Sequence, residues 1–333
     1  MKTTGEVIGI IANLVTVKVF GPVSQNEICY ILMDDGVRLM AEVIKVIGDR
    51  AYVQVFESTR GLKGGTRVEF EGHMLEATLG PGILTRIYDG LQNDLKAMEG
   101  VFLRRGEYND PLDMESRWDF TPLVEAQNQE VRAGDWLGWV PEGWLQHKIM
   151  VPFKMEGTYR LKWVAPAGNY KITDVIATVV DEEGTEHGLS MMQRWPVKVA
   201  VTAFKDKPRP FRTMETGFRA IDTFNPIAEG GTGFIPGPFG AGKTVLQHGI
   251  SKQADADVII IAACGERANE VVETFVEFPE LDDPRTGRKL MERTTIIANT
   301  SNMPVSAREA SVYTAMTLGE YYRAMGLKVL IGR

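Results

Sequence analysis

The sequence has 333 residues, a formal net charge of −7 and an ordinary balance of apolar and charged residues. This length predicts two or three domains with ample core, since single hydrophobic cores stop growing near about 250–300 residues. The net negative charge argues against a nucleic-acid partner that is bound through overall electrostatic attraction.

The N-terminus lacks a basic segment followed by an apolar one, and no apolar run approaches the length of a membrane span. The two cysteines, Cys29 and Cys264, lie far apart and match no metal-binding or redox spacing. These features predict a cytoplasmic protein with two buried thiols, which reaches a membrane only by docking on a membrane complex.

The first 70 residues contain short apolar runs separated by turn signals at residues 20–22, 34–36 and 48–49. Strands at this spacing predict a small β-barrel or sandwich over residues 1–70. Residues 71–110 are expected to bridge this module to the next one, with a turn at residues 87–91 leading into a short helix.

Residues 111–200 differ in composition from the first module, because they are rich in tryptophan and glycine and contain short predicted strands. Their pattern resembles the hammerhead β fold of lipoyl and biotinyl carrier domains. Lys148 or Lys154 could then carry a swinging prosthetic group. The alternative is a shared fold without the modification, since fold does not carry function and neither lysine has the flanking residues of a carrier hairpin.

Residues 201–333 begin with a basic, proline-interrupted linker and continue as apolar runs alternating with helical patterns, which predicts a parallel sheet with crossover helices. An eight-residue glycine-rich motif follows the apolar pair Phe234 and Ile235. The context predicts a strand, a turn and a helix start, as a P-loop requires. The motif consists of Gly237, Pro238, Phe239, Gly240, Ala241, Gly242, Lys243 and Thr244.

Each residue type in this motif suits a triphosphate. The glycines let backbone N–H groups converge on phosphate oxygens at a helix N-terminus. Lys243 would reach the outer phosphates, and the Thr244 hydroxyl would coordinate Mg²⁺. The alternative is a glycine turn before a helix that merely begins with lysine and threonine.

A second cluster follows the apolar, β-branched run of residues 258–264, which predicts a buried parallel strand. Glu266 and Arg267 come directly after it, and ligands of open α/β sheets bind beyond the carboxyl ends of strands. The spacing of 23 positions from Lys243 to Glu266 makes this strand a candidate neighbour of the P-loop strand. The carboxylate could polarise a water and the guanidinium could hold a γ-phosphate; the alternative is a surface ion pair that caps the next helix.

Taken together, these stretches resemble the catalytic A subunit of V-type and archaeal-type rotary ATPases over nearly the whole chain. Residues 297–305 and 308–311 are particularly distinctive, and the β-rich insertion separates this family from F-type β subunits. The stretches that carry the resemblance are residues 217–226, 237–244, 265–267, 277–281, 283–288 and 291–321.

The resemblance implies a multidomain α/β fold with added β modules: a small N-terminal β-barrel, a hammerhead-like insertion and a partial RecA-like P-loop domain. It implies that residues 237–244 bind ATP or ADP with Mg²⁺ on Thr244, that Lys243, Glu266 and Arg267 are catalytic, and that H⁺ or Na⁺ transport is coupled to ATP hydrolysis or synthesis. The implied partners are non-catalytic B subunits in an alternating A3B3 ring, a central rotor stalk and peripheral stator subunits. The implied location is the cytoplasmic face of a membrane.

The sequence departs from this family at its C-terminal end. The chain ends at Arg333, where a strand of this family would run on into its Mg²⁺-associated aspartate. We therefore expect a C-terminally truncated chain whose catalysis alone is weak. The alternative function is that of a non-catalytic fragment, which folds its N-terminal modules and serves only assembly or interaction.

Overall fold

A computed structural model describes residues 2–96, 105–124, 129–204, 206, 209–238, 240–301 and 303–332. Its first module is a closed antiparallel barrel with strand order β1-β2-β5-β4-β3-β6. Alternating valines, among them Val15, Val17 and Val53, are fully buried inside it. The strands are β1 (Thr4–Ile11), β2 (Leu14–Val19), β3 (Glu27–Leu32), β4 (Arg38–Ile47), β5 (Arg50–Val55) and β6 (Arg67–Met74). The predicted barrel is confirmed.

The segment after the barrel contributes two short strands to distant modules. These are β7 (Glu76–Leu79) and β8 (Ile87–Tyr88). The short helix expected after residue 91 is absent from residues 91–96. The Asp89 carboxylate instead accepts hydrogen bonds from the amides of Leu91 and Asn93, and such local side-chain bonds compete with helix formation.

The insertion folds into two four-stranded antiparallel sheets whose buried residues join one hydrophobic cluster. The strand orders are β12-β11-β9-β14 and β10-β13-β15-β16, and β17 pairs with β7. The strands are β9 (Arg117–Pro122), β10 (Glu130–Val131), β11 (Trp136–Glu142), β12 (Leu145–Met150), β13 (Tyr159–Val164), β14 (Gly168–Lys171), β15 (Ala177–Val180), β16 (Glu186–Leu189) and β17 (Gln193–Pro196). We call this module the extension.

The last module holds a four-stranded parallel sheet with order β22-β20-β21-β8. This confirms the predicted parallel sheet. A separate pair of short strands precedes it. The elements are β18 (Thr213–Met214), α1 (Arg219–Phe224), β19 (Ile227–Ala228), α2 (Lys243–Gln253), β20 (Val258–Glu266), α3 (Ala268–Glu277), β21 (Thr294–Thr300), α4 (Val305–Ala324) and β22 (Val329–Gly332).

Helix α4 lies against β20, β21 and β22. Gly319 makes close packing possible, because a Cβ atom there would come within 2.6 Å of the Ile331 side chain. The helix is 20 residues long and buries residues along most of its length. Within the described residues, no helix combines the length and the apolar character needed to cross a membrane.

The strand predicted before the P-loop is wrong for the described residues. Residues 231–238 have no strand assignment, and the Phe234 side chain is 87% exposed. In the described sheet β20 has β21 and β22 as neighbours, and α2 lies against β22. A strand needs a neighbouring backbone for its hydrogen bonds, and the segment before the P-loop has none beside it here.

Candidate functional site

The P-loop turns sharply at two glycines before α2 begins at Lys243. Gly240 and Gly242 have φ angles of 77° and 78°, which side chains rarely allow. Gly242 is the N-cap of α2, and no side chain caps this helix. Its first amides and its dipole therefore favour a bound anion. Phe239, which is also part of the predicted motif, lies outside the described residues.

The lysine of the loop is already held over the loop. Its Nζ donates a hydrogen bond of 2.8 Å to the carbonyl oxygen of Gly237. Gly237 and Ala241 lie close together, because a Cβ atom added at Gly237 would be 3.2 Å from the Ala241 methyl. The Lys243 ammonium thus lies beside the loop, where its hydrogen bond to the Gly237 carbonyl could be replaced by one to a phosphate oxygen.

A bulge at the end of β20 sets the position of Glu266. The register against β21 shifts between Cys264 and Glu266, and Gly265 has a φ angle of 91°. The backbone carbonyl of Glu266 accepts a hydrogen bond of 2.8 Å from the Ser301 amide. Bulges of this kind redirect a side chain at the edge of a sheet, and this one places Glu266 at the end of β20.

Thr244 and Glu266 line the same cleft, together with Glu270 from the first turn of α3. We call it the strand-end cleft. Its volume is about 30 Å³, which is room for one or two water molecules. The space inside the cleft is too small for a nucleotide.

The charges around the cleft favour a basic carboxylate. Partial desolvation raises the pKa of the Glu266 carboxyl even though the residue is exposed, the nearby Glu270 carboxylate raises it further, and the Lys243 ammonium opposes both. A carboxylate with a raised pKa is a better proton acceptor near neutral pH. Lys243 directly precedes Thr244, which lines the same cleft as Glu266, so the two predicted site residues belong to the same edge of the sheet.

Two arginines lie at this edge of the sheet. Arg267 is the exposed N-cap residue of α3, and its carbonyl accepts the Val271 amide. The Arg308 side chain, from the first turns of α4, covers Gly265, where a Cβ would come within 2.9 Å of its Cδ. Sequence reasoning singled out Arg267 for a site role and missed Arg308, whose approach depends on the packing of α4 over β20.

The cleft combines apolar side chains with several oxygen-bearing ones. The Thr244 hydroxyl and the Glu266 and Glu270 carboxylates all line it. In the part of the chain that the structure describes, no group of three or more histidine, cysteine or carboxylate side chains could hold a metal ion. This set fits Mg²⁺, which binds through one or two protein oxygens together with substrate phosphates.

The two lysines considered for a prosthetic group do not resemble carrier lysines. Lys148 lies within β12 rather than at a hairpin tip, and its ammonium lies 5.5 Å from the centre of the Trp136 ring. Lys154 is exposed in the turn that follows β12, but the strands on either side of that turn, β12 and β13, belong to different sheets rather than to one hairpin.

Family models match the three modules in turn. Residues 7–72 match the beta-barrel domain of the ATP synthase alpha/beta family, residues 109–198 match the alpha/beta subunit barrel-sandwich domain, and residues 217–332 match the family's nucleotide-binding domain. The chain belongs to the ATP synthase alpha/beta family.

Relatives within this family are similar along almost the entire chain. The V-type ATP synthase alpha chain of Treponema denticola is 53% identical over 333 residues, and alpha chain 1 of Treponema pallidum is 54% identical over 333 residues. The alpha chain of Borrelia garinii is 52% identical over 334 residues. Each match covers 99% of this chain but only 56–58% of the relative, so the chain spans a little over half the length of these relatives.

Proposed function

We propose that the chain provides the catalytic site of a membrane-docked V/A-type rotary ATPase, in which ATP hydrolysis or synthesis is coupled to H⁺ or Na⁺ transport. The observation that carries this proposal is the meeting of Thr244 and Glu266 in one water-sized cleft beside the P-loop. The names of the relatives support it, since they are V-type ATP synthase alpha chains.

The proposed chemistry assigns one task to each group. The amides of residues 240–242 and the Lys243 ammonium hold the phosphates, and the Glu266 carboxylate accepts a proton from the attacking water. Arg267 contacts the γ-phosphate or orders the loop around it. Mg²⁺ bound by the Thr244 hydroxyl would neutralise charge on the phosphates.

The proposed assembly alternates this chain with non-catalytic B subunits in an A3B3 ring. A central rotor stalk and peripheral stator subunits complete it, and the membrane is reached only through the complex, on its cytoplasmic face. No role for nucleic acid is proposed. An arginine from the neighbouring B subunit would supply charge stabilisation that is commonly worth about 10³–10⁵ in rate, so the chain alone should turn over slowly.

The test uses the full-length chain assembled with B subunits. We expect ATP hydrolysis by the wild-type assembly, loss of Mg·ATP binding in Lys243→Ala, and retained binding with turnover at least about 100-fold lower in Glu266→Gln. Binding is measured by equilibrium titration and turnover by phosphate release.

Two results would contradict the proposal. Normal turnover in the Glu266→Gln assembly would remove that carboxylate from its role. A wild-type assembly that forms but neither binds nor hydrolyses ATP would favour the alternative, a chain that serves assembly only.

A further inference from the structure

A buried polar chain joins the extension to α4. His147 on β12 is fully buried, and its two ring nitrogens lie 2.6 Å from the Glu142 carboxylate and 2.7 Å from the Tyr321 hydroxyl. Glu142 ends β11, and Tyr321 lies near the end of α4. The contact therefore spans 174 residues of sequence and ties the extension to the nucleotide-binding module.

The donors and acceptors in this chain match one another. The second carboxylate oxygen of Glu142 accepts the amides of Gly82, at 2.7 Å, and Leu84, at 3.3 Å. Burial, followed by the Glu142 charge, raises the pKa of Tyr321 well above its usual value, so its hydroxyl keeps its proton. If Tyr321 donates to Nε2 of His147 and Nδ1–H donates to Glu142, all three side chains are satisfied.

The helix that receives this contact also touches the other modules. Its hydroxyl side chains donate to backbone carbonyls of the barrel and of the segment after it. These bonds are Ser306 to Val55 at 3.0 Å and Thr314 to Gly90 at 2.9 Å. Polar bonds in a buried interface specify one arrangement, because an offset leaves their groups unpaired.

The same helix reaches the candidate site at its other end. Arg308 covers Gly265, the residue before Glu266. Tyr321 follows Arg308 by 13 residues, which corresponds to about 20 Å along a helix. A displacement of the helix at Tyr321 would therefore be transmitted along a rigid element to the backbone that carries the carboxylate.

We propose that Glu142, His147 and Tyr321 form a latch by which the extension fixes α4, and through it the bulge at Gly265, in the position that Glu266 needs for turnover. The three are positioning residues, since none lines the strand-end cleft. The proposal rests on the proposed function, in which Glu266 acts on water.

The neighbouring tyrosine provides a matched control. Tyr322 is as deeply buried as Tyr321, but among the described residues its hydroxyl has no hydrogen-bond partner. Tyr321→Phe and Tyr322→Phe thus remove the same atom from adjacent buried positions, and only the first breaks the latch. His147→Gln is a second test, since the glutamine amide lies near the place of Nε2 and leaves Glu142 without its Nδ1–H donor.

The experiment measures kcat and KM for ATP in the assembled complex. We expect kcat about tenfold lower in Tyr321→Phe and His147→Gln, because small misplacements of a catalytic group have effects of this size. KM should stay within about twofold, since the residues of the P-loop are untouched. Tyr322→Phe should match wild type in both.

Hydrogen–deuterium exchange gives a readout that does not depend on activity. Amides of residues 263–267 and 305–324 should exchange faster in Tyr321→Phe than in Tyr322→Phe. Equal kcat and equal exchange in the two phenylalanine variants would overturn the latch. A wild-type assembly without ATP turnover would count against the proposed function alone, because the exchange comparison would still decide the latch.

Discussion

Gly265→Ala tests whether the bulge positions Glu266. The glycine has a φ angle of 91°, and an added Cβ would lie 2.9 Å from Cδ and 3.2 Å from Nη1 of Arg308. Backbone strain of this kind costs about 1–3 kcal/mol in free energy of unfolding. The flexible Arg308 side chain can move to relieve the contact, and it would then no longer cover the bulge.

Two measurements separate strain from displacement. Urea unfolding followed by circular dichroism should show a lower midpoint, and phosphate release by the assembled complex should fall by about 10–100-fold as the carboxylate shifts. Gly184→Ala is the control, since Gly184 has a φ angle of 86° but nothing within 4 Å of an added Cβ. It should lower stability by a similar amount and leave turnover unchanged. Wild-type turnover in Gly265→Ala would refute the role of the bulge.

Three further predictions concern the cleft, the buried pair of Arg293 and Asp283, and the proposed metal ligand Thr244. Turnover needs the Glu266 carboxylate, and the pKa of this group is raised. In a pH profile, kcat should therefore begin to fall at a higher pH than the pKa of an ordinary glutamate would give. Glu270→Gln removes one cause of the raised pKa and should move this fall in kcat to lower pH. Arg293→Met leaves the buried Asp283 carboxylate without its 3.0 Å partner, and should cost about 3–5 kcal/mol in urea unfolding. Thr244→Ala should weaken the Mg²⁺ dependence of ATP binding, measured by titration with and without the metal.

The Asp283 prediction has a definite pH dependence. Burial alone would raise the pKa of Asp283, but the Arg285 amide and the Arg293 and Arg285 guanidiniums outweigh it and lower the pKa. The folded-state pKa therefore lies below the unfolded value, so this carboxylate stabilises the protein above the unfolded pKa and the gain is lost as pH falls through the folded pKa. The difference in free energy of unfolding between wild type and Arg293→Met should therefore become smaller at acid pH. The exposed pair of Arg288 and Glu292 provides a control, since Arg288→Met should change stability by less than about 1 kcal/mol.

Much of the fold followed from local patterns. The alternating valines predicted the barrel, and the β-branched run of residues 258–264 predicted β20, because both signals depend on burial along one strand. The P-loop glycines predicted the turn and the start of α2. The boundaries at residues 70, 110 and 200 stay predictions, as do the roles of Lys243, Glu266 and Arg267.

Other features depend on partners that sequence spacing does not reveal. Ile87 and Tyr88 join the parallel sheet by pairing with residues 296 and 297, about 200 positions away. His147 and Tyr321 are 174 residues apart, and only the docking of the extension brings them together. The segment before the P-loop carried a strand signal, yet strand formation requires a neighbouring backbone.

The size of the strand-end cleft has a consequence for the choice of nucleophile. Under the proposed function, a space of this size beside Glu266 suits water better than a polyol such as glycerol, so phosphate release should exceed formation of glycerol phosphate when glycerol is present. The cleft lies between α2, α3 and the end of β20, so the approach of these elements sets how much room the nucleophile has.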